Sequence, residues 1–328
     1  MSSIDLDSFE AFYDERYEGD YMSGHGDVEA GRVADTLAAC GLPPRPAIVD
    51  YGCGRGAWIG ALRQAFPGAR ITGIEISERA VERARLEHPG AEFLAFDGAR
   101  APLPDESADL VFSYHVIEHV IDLSETVGDM ARLARPGGYV VAIMPCANAG
   151  SVENLAARLV AGALEPSSTG EPRLFYDDPG HLRRLTSAQL AAAFAENGCE
   201  LAGELYARRL AAVGYITAIP GTVRALFDPS RGRTPAAAGV LAAARVAFTG
   251  IAALVWAGLQ PPERMRAIAA GDPSPARRAA AAAALAARPV ARPASRLVQE
   301  TLPRWEWQRS AHVAHGASAQ FLVFRKRA

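Results

Sequence analysis

A short apolar strand that runs into three alternate glycines constrains this chain more than any other feature. Residues 47–56 read Ala-Ile-Val-Asp-Tyr-Gly-Cys-Gly-Arg-Gly, and a helix is predicted directly after them. Glycine allows positive φ angles and lets a ligand approach the main chain without meeting a Cβ atom. The segment therefore predicts a ligand-binding turn between a strand and a helix. A dinucleotide fingerprint, G-x-G-x-x-G, would place the third glycine one residue later, so the spacing alone leaves the ligand open.

Polar residues follow each of the next three predicted strands. Strand 70–76 ends with Glu75 and Ile76, strand 92–96 is followed by Asp97 and Gly98, and strand 109–114 runs into a His-Val-Ile-Glu-His sequence. An acid about 20 residues after a glycine turn can bind ribose hydroxyls. Because the carboxyl ends of parallel strands meet at one edge of a sheet, we expect these side chains to surround a single pocket.

Predicted strands alternate with predicted helices along most of the chain. The strands are 47–51, 70–76, 92–96, 109–114, 138–144, 199–206 and 319–325. The helices are 27–40, 57–66, 77–88, 122–134 and 187–197, and residues 145–186 are rich in loops. The alternation predicts a doubly wound α/β fold with a mostly parallel, seven-stranded sheet. Residues 207–318, rich in Ala, Pro and Arg, would form a helical insertion before the last strand.

In order and spacing, these motifs resemble the class I S-adenosylmethionine-dependent methyltransferases over about residues 10–205 and the last ten. The resemblance implies a Rossmann-like domain of residues 46–206 and 319–328, an antiparallel closing strand and S-adenosylmethionine as cofactor. It also implies a helical lid of residues 1–45, whose tyrosines (Tyr13, Tyr17 and Tyr21, with Tyr17 preferred) cover the methionine end of the cofactor. The other implied cofactor contacts are Asp50, Gly52, Cys53 (through its backbone), Gly54, Glu75, Ile76, Asp97, Gly98 and Tyr114.

Methyl transfer needs an aligned nucleophile whose proton is removed, so a base is expected near the fourth strand. His115, Glu118 and His119 cluster there, where the acceptor should face the cofactor. The alternative is that Glu118 and His119 only fix the turn. The string His-x-x-Glu-His also matches an inverted zinc-protease signature, but its strand-to-helix context does not fit that class. His181, in a loop before the helix at 187–197, is a further catalytic candidate.

Residues 114–120 are similar to the ubiquinone-pathway O-methyltransferases, relatives of the type 11 and type 23 methyltransferases. Their equivalent stretch has Glu where this chain has His115, and the trio is associated with a divalent metal. This exchange removes a ligand for magnesium and adds a nitrogen that suits zinc, so we assign no metal ligand and keep a divalent metal as an alternative. The large apolar insertion and the basic C-terminal part lead to the hypothesis of a bulky, hydrophobic or lipid-linked small molecule, neutral or anionic, that is methylated on oxygen, with N- or C-methylation as alternatives.

Two other functional classes remain as hypotheses. An NAD-dependent oxidoreductase would share the strand, the turn and the ribose acid, but it should show G-x-G-x-x-G. A non-catalytic partner protein, which binds the cofactor or is recruited to a membrane, would use the same scaffold without turnover. No run of interleaved basic and aromatic residues indicates nucleic-acid binding.

Charge divides the chain into two parts. Residues 206–328 hold 18 Arg or Lys and 5 Asp or Glu, whereas residues 1–205 hold 16 and 32. A basic part indicates a phosphate-bearing partner, a membrane surface, or contact with the acidic part. Residues 236–259 are apolar except for Arg245 and Thr249 and are long enough to span a bilayer. A single crossing would separate the closing strand from its sheet, so we expect a substrate lid, a homodimer face or peripheral membrane contact.

The remaining features concern the cellular compartment. The four cysteines are far apart and form no C-x-x-C pair, which fits a reducing cytoplasm. The acidic N-terminus lacks the basic and apolar runs of a signal peptide. We therefore expect a cytoplasmic protein, with the inner membrane face as a peripheral location if residues 236–259 contact lipid.

Overall fold

The computed structural model describes residues 6–17, 25–162, 164–166, 172–174, 180–218 and 221–328. The strands are β1 (Ala47–Tyr51), β2 (Arg70–Glu75), β3 (Glu92–Ala95), β4 (Ala108–Tyr114), β5 (Ala134–Pro145), β6 (Leu164–Pro166), β7 (Pro172–Leu174), β8 (Cys199–Ala207) and β9 (Ala319–Lys326). The first seven helices are α1 (Leu6–Tyr17), α2 (Asp27–Ala38), α3 (Ile59–Ala65), α4 (Glu78–Glu87), α5 (Leu123–Leu133), α6 (Val152–Leu159) and α7 (Ser187–Glu196). The others are α8 (Ala212–Ala218), α9 (Thr222–Leu226), α10 (Pro235–Leu259), α11 (Pro262–Gly271), α12 (Pro275–Arg296) and α13 (Leu302–Ser310), with a 3-10 turn at Pro229–Arg231 and a π-helical turn at Leu297–Thr301.

A seven-stranded sheet forms the centre of the molecule, in the order β3-β2-β1-β4-β5-β9-β8. Strands β1 to β5 are parallel, and β9 runs antiparallel to both of its neighbours. The predicted doubly wound fold, the seven strands and the insertion before the last strand are therefore confirmed. The order reverses between β1 and β4, and ligands bind at such a switch point in open α/β sheets.

Helices cover both faces of this sheet. Val127 of α5 and Phe194 of α7 pack in one core cluster, and Leu37 of α2, Leu62 of α3 and Val81 of α4 pack in the other. Because both faces are covered, the central strands are mostly apolar and buried along their length, and β4 is buried from its first residue to its sixth. This rigid sheet fixes the positions of the strand ends that form the site.

Two local features refine the predictions. Residues 145–186 include α6, which is capped by Ser151, whose hydroxyl accepts a hydrogen bond from the Asn154 N–H at 3.1 Å, as well as the hairpin of β6 and β7. The helix expected at 57–66 begins only at Ile59, since Gly56 has a φ of 80° and the turn continues past it. Other element boundaries differ by one or two residues, except that β5 begins four residues early through the pairing of Ala134 with Ala108.

The insertion is helical, as predicted, and attaches to the sheet domain at several points. Helix α13 packs on α2, where the Trp307 Nε1–H donates to Asp35 at 2.6 Å. Helix α10 packs on α12 and, through Leu241 and Phe248, on the cluster formed by α6, α8 and α9. Among the described residues, α10 is the one helix long and apolar enough to cross a bilayer, and 11% of its most apolar window is buried.

Candidate functional site

The glycine turn after β1 has a conformation that requires glycine. Gly52 and Gly54 have φ angles of 71° and 52°. A Cβ atom on Gly54 would lie 2.7 Å from the Tyr17 hydroxyl, and one on Gly52 would overlap Val116. The Gly52 N–H donates to the Ile74 carbonyl at 2.8 Å, which ties the turn to β2. The backbone is thus exposed to a ligand on one side and held rigid on the other.

A cavity of about 360 Å³ opens beside this turn, at the carboxyl ends of β1 to β4. Its volume lies in the range of small-molecule and cofactor sites. Among the predicted residues, its wall includes Tyr17, Gly52, Cys53, Gly54, Glu75, Ile76, Asp97, Gly98, Tyr114, His115 and His119. Asp50, Glu118 and His181 do not line it. The sheet therefore brings nearly all of the predicted cofactor residues together around one cavity.

Glu75 is fixed by backbone donors on both oxygens. Its Oε2 accepts from the Gly54 N–H at 2.9 Å, and its Oε1 accepts from the Ile76 and Ser77 N–H groups at 3.0 and 3.2 Å. Burial raises the pKa of Glu75, although these hydrogen bonds oppose the shift. The carboxyl group is held in one orientation at the cavity wall, where further lone pairs can accept from a ligand.

Asp50 lies behind the turn and is 1% exposed. Its Oδ2 is buried and has no hydrogen-bond partner among the described residues. Burial, helped by the nearby negative charge of Glu75, raises the pKa of Asp50 to about 8. Two carboxyl groups so close in a dry region repel each other when both are ionised, and a bound cation would relieve that repulsion.

The charged side chains at the cavity wall are all acidic. They are Glu75, Asp97, Asp122 and Glu125, and no Lys or Arg stands among the described lining residues. Asp97 also accepts from the Ala99 N–H at 3.0 Å, which fixes the turn after β3. A cavity of this polarity favours a cationic ligand and disfavours the diphosphate of a dinucleotide.

His115 and Glu118 form a hydrogen-bonded pair at the end of β4. His115 has a φ of 55°, and its Nδ1 lies 2.7 Å from the Oε1 of Glu118, which is fully buried. Burial would raise the pKa of Glu118, but the charge and hydrogen bond of His115 outweigh it, and the pKa is lowered to about 2. An ionised carboxylate only accepts, so His115 Nδ1 carries the proton of this hydrogen bond, and in the neutral form of the ring Nε2 keeps a lone pair. This pair can remove a proton from a molecule in the cavity.

His119 and His181 lie beside this pair. The Gly180 carbonyl accepts from His119 Nδ1 at 2.9 Å, and the two imidazole centroids are 4.7 Å apart. Burial lowers the pKa of His119 to about 4, so the ring is neutral at pH 7. One potential ligand atom from each of Glu118, His119 and His181 lies within 4.8 Å of the others, so this trio could hold a metal ion. His181, rather than His115, is the third member.

The sequence analysis did not assign several contributors to the site, among them Arg183 and Trp58. Arg183, 1% exposed, donates to the carbonyls of Ile117 and Ile121, at 3.3 and 3.0 Å, and so holds the loop that carries Glu118 and His119. The sequence Gly-His-Leu-Arg-Arg at residues 180–184 could have indicated Arg183, but only His181 was selected from it as a candidate. Trp58 lines the cavity with its ring 4.5 Å from that of Tyr114, and a tryptophan at a helix start reads simply as core.

The predicted N-terminal lid is described in part. Tyr13 and Tyr17 of α1 are each 6% exposed and line the cavity, and Asp14 accepts a hydrogen bond from the Ser77 hydroxyl. Tyr21 and residues 1–5 and 18–24 lie outside the described residues. Of the insertion, no described residue lines this cavity, so the interpretation of residues 236–259 as a substrate lid gains no support there.

The sequence matches proteins of one enzyme class. A family model described as a methyltransferase domain matches residues 49–142. The chain is 35% identical to trans-aconitate 2-methyltransferase of Paracidovorax citrulli over 34% of this chain and 43% of that protein. It is 34% identical to malonyl-[acyl-carrier protein] O-methyltransferase of Methylococcus capsulatus over 29% of this chain and 36% of that protein. These matches span about two fifths of the length of the curated relatives.

Solved structures are also similar. Geranyl diphosphate C-methyltransferase of Streptomyces coelicolor has a TM-score of 0.44 and 12% identity, over 92% of this chain and 79% of that one. The family-model match covers strands β2 to β4, the glycine turn and the cavity-lining residues from Tyr51 to Glu125. Over this domain, the chain is similar to S-adenosylmethionine-dependent methyltransferases.

Proposed function

We propose that this chain methylates a small organic acceptor at oxygen, with S-adenosylmethionine as the methyl donor and His115 as the general base. The observation that carries the proposal is the acidic cavity beside the glycine turn, with the His115–Glu118 pair in and behind its wall. S-adenosylmethionine carries two cationic groups, a sulfonium and an ammonium, which suit such a cavity. The diphosphate of NAD does not, and no described lining cation would neutralise it.

The chain's residues fit this cofactor along the whole cavity. Glu75 is oriented to accept hydrogen bonds from ribose hydroxyls, and Asp97 and Gly98 flank the region assigned to adenine. Tyr17 of α1 would cover the methionine part. The carboxyl of Asp50, whose buried Oδ2 has no hydrogen-bond partner among the described residues and whose pKa burial raises to about 8, would ionise more readily once a cation occupies the cavity.

The proposed step uses the two nitrogens of His115 for different tasks. S-adenosylmethionine, when bound, supplies an electrophilic methyl group whose bonding electrons remain on sulfur as the thioether forms. His115 Nε2 takes the proton of the acceptor hydroxyl as the new oxygen–carbon bond forms. Glu118 accepts the hydrogen bond from Nδ1–H and stabilises the positive charge that the ring gains. Arg183 holds the loop in place through the carbonyls on both sides of Glu118.

A divalent metal is the second arrangement that the site could support. Glu118 Oε2 is buried without a hydrogen-bond partner among the described residues, and the His119 nitrogen opposite Nδ1 keeps a lone pair. With His181 these groups could hold zinc, which would polarise an acceptor oxygen. The step through His115 does not need this ion, so turnover should persist in a chelator.

The acceptor side of the cavity is largely aromatic and apolar. The Tyr114 ring centroid lies 4.6 Å from that of His115, the Trp58 ring lies 4.5 Å from Tyr114, and Val116 and Ile121 line the same cavity. The Tyr114 hydroxyl donates to Glu29 at 3.0 Å, so it is engaged away from the acceptor. We infer a bulky or hydrophobic acceptor that presents one hydroxyl group to His115.

The experiment is an acceptor screen that measures S-adenosylhomocysteine release. The purified chain is incubated with S-adenosylmethionine and separate pools of phenols, hydroxy acids and long-chain alcohols, with and without EDTA, and Glu75→Ala serves as the inactive control. Release with a hydroxyl pool in the presence of EDTA supports the proposal. S-adenosylhomocysteine release that requires added zinc would contradict the mechanism through His115 and favour the one that uses a metal ion. Binding of the cofactor without release from any pool, amine and carbon acceptors included, would favour the non-catalytic partner protein.

A further inference from the structure

Helix α10 exposes most of its apolar surface. It runs for 25 residues, and Arg245 is its one charged residue. Its most apolar window has a mean hydropathy of 1.9, but only 11% of that window is buried. A core helix of this composition would be mostly buried, and α10 lies far from the N-terminus. Its apolar surface therefore needs an explanation other than the protein core.

Nine exposed residues form one continuous face, which we call the α10 stripe: Ala236, Gly239, Val240, Ala243, Val246, Ala247, Gly250, Ala253 and Leu254. Thr249, Trp256 and Leu259 are also exposed but lie outside this face. The nine residues of the stripe follow one another mainly at spacings of three and four, which places them on one side of the helix. Its three largest members, Val240, Val246 and Leu254, are 54%, 75% and 38% exposed. The stripe holds no polar side chain.

The opposite side of α10 is packed against the protein. Leu241 is fully buried among residues of α6, α8 and α9, and Phe248 stacks near Phe227 with the ring centroids 4.6 Å apart. Beyond the insertion, the chain returns to the sheet as β9, between β5 and β8. A helix fastened on one side and apolar on the other can lie in a membrane interface but cannot cross the bilayer without leaving its neighbours.

The charge of the insertion indicates which kind of surface would cover the α10 stripe. Residues 207–318 hold 15 Arg and 5 Asp or Glu. Arg233 precedes α10, and Arg264 and Arg266 follow it, all exposed and without a carboxylate partner among the described residues. A second copy docked on the stripe would bring two such arginine-rich units together, at a cost in charge repulsion. In an anionic bilayer, the stripe can bury its apolar side chains among the acyl chains while the arginines contact the lipid phosphates.

We propose that the α10 stripe docks this protein onto the surface of an anionic lipid bilayer, with the flanking arginines on the lipid headgroups. This surface is separate from the cofactor cavity, whose described lining contains no residue of the insertion. The inference therefore goes beyond the methyl-transfer reaction and does not depend on it. Binding should weaken as salt is added, because the arginine contacts are screened.

The test is co-sedimentation of the full chain with vesicles of phosphatidylcholine alone or mixed with phosphatidylglycerol. We expect binding to the mixed vesicles and little to the neutral ones. The double variant Val246→Asp, Leu254→Asp should bind at least about tenfold more weakly, since two apolar side chains that would enter the bilayer are replaced by charged ones. Leu86→Asp is the matched control: Leu86 is 82% exposed on α4, so the same change away from the stripe should leave vesicle binding unaltered.

Two further measurements keep the result decisive. Calorimetric titration with S-adenosylhomocysteine, without vesicles, must be the same for wild type and the double variant, which shows that the fold and the cavity are intact. Light scattering of the chain without lipid measures its molar mass and so detects a dimer. Absent or composition-independent vesicle binding, equal binding by the double variant, or a dimer that the double variant abolishes would each overturn the proposal.

Discussion

The sheet domain and the insertion bury their apolar residues to different extents. In the sheet domain, central strands are covered on both faces, and Leu110, Val111 and Phe112 of β4 have no exposed surface. In the insertion, α10 is covered on one side and leaves Val246 three-quarters exposed. The first arrangement fixes atoms precisely enough for chemistry, and the second leaves a surface free for contact. We therefore expect the reaction in the sheet domain and the membrane contact in the insertion.

Electrostatics follow the same division. The acidic part of the chain supplies every charged side chain in the described cavity wall. The basic part meets it through a few pairs, such as Arg208 with Glu29 at 3.5 Å and Arg327 with Glu200 at 2.7 Å, while many insertion arginines remain exposed. Self-neutralisation therefore accounts for only part of the charge asymmetry. Substitutions in the two regions should accordingly separate catalysis and cofactor binding from membrane contact.

The largest expected effect comes from the proposed base. His115→Ala should lower kcat by about 10³-fold, because general-base catalysis is typically worth 10²–10⁴. Cofactor affinity should change little, since the proposed mechanism gives His115 a role towards the acceptor and none in holding the cofactor. Single-turnover assays and calorimetry separate the two quantities, and the exposed His312→Ala is the matched control. A variant that keeps more than a tenth of the rate would remove His115 from the mechanism.

A smaller loss is expected at the glycine turn. Glu75→Ala removes the acceptor of three backbone hydrogen bonds and of the proposed ribose contact, so S-adenosylhomocysteine should bind about 100-fold more weakly. Calorimetry measures the affinity, and circular dichroism checks the fold. The exposed Glu82→Ala, on α4, removes the same charge outside the cavity and should bind as wild type does. Near-normal binding by Glu75→Ala would contradict the assignment of the ribose site.

Asp50 predicts a pH effect on stability. The unfolded carboxyl releases its proton near pH 4, whereas the folded one holds it to about pH 8, so the unliganded protein should lose stability as pH rises between these values. Asp50→Asn stays neutral in both states and escapes this loss. Its melting temperature without cofactor should exceed that of wild type by about 5 °C at pH 8, with the gap closing towards pH 4.

The same variant should bind S-adenosylmethionine about tenfold more weakly, because the neutral amide cannot ionise beside a cation. Thermal melts across pH with Glu82→Gln as control test the first effect, and calorimetry tests the second. A melting curve for Asp50→Asn that falls with pH as steeply as that of wild type would show that another group carries the pH dependence.

The smallest effect is expected from the insertion. Val246→Asp, measured without vesicles, should change kcat/KM for a soluble acceptor by less than about twofold, as is usual for exposed substitutions. A large loss would mean that α10 acts on the acceptor after all, and the contrast between the two regions would fail at that point.

Much of the sheet domain was predictable because its signals are local. The strand, the alternate glycines and the acid in β2 fix a turn whose ligand side is dictated by the order of a parallel sheet. Arg183 escaped prediction because its role depends on carbonyls about 60 residues away. The partnership of His115 with Glu118, rather than with His119, depends on a positive φ that a histidine rarely adopts. Which side of α10 is packed depends on the positions of α6, α8 and α9, and the sequence of α10 alone does not reveal them.

The most direct test of the central claim is calorimetric titration of the purified chain with S-adenosylmethionine, S-adenosylhomocysteine and NAD. The account predicts that both sulfur compounds bind at one site, that Glu75→Ala removes this binding, and that NAD does not bind. Binding of NAD in preference to the sulfur compounds, or binding of none of the three by a folded protein, would contradict it.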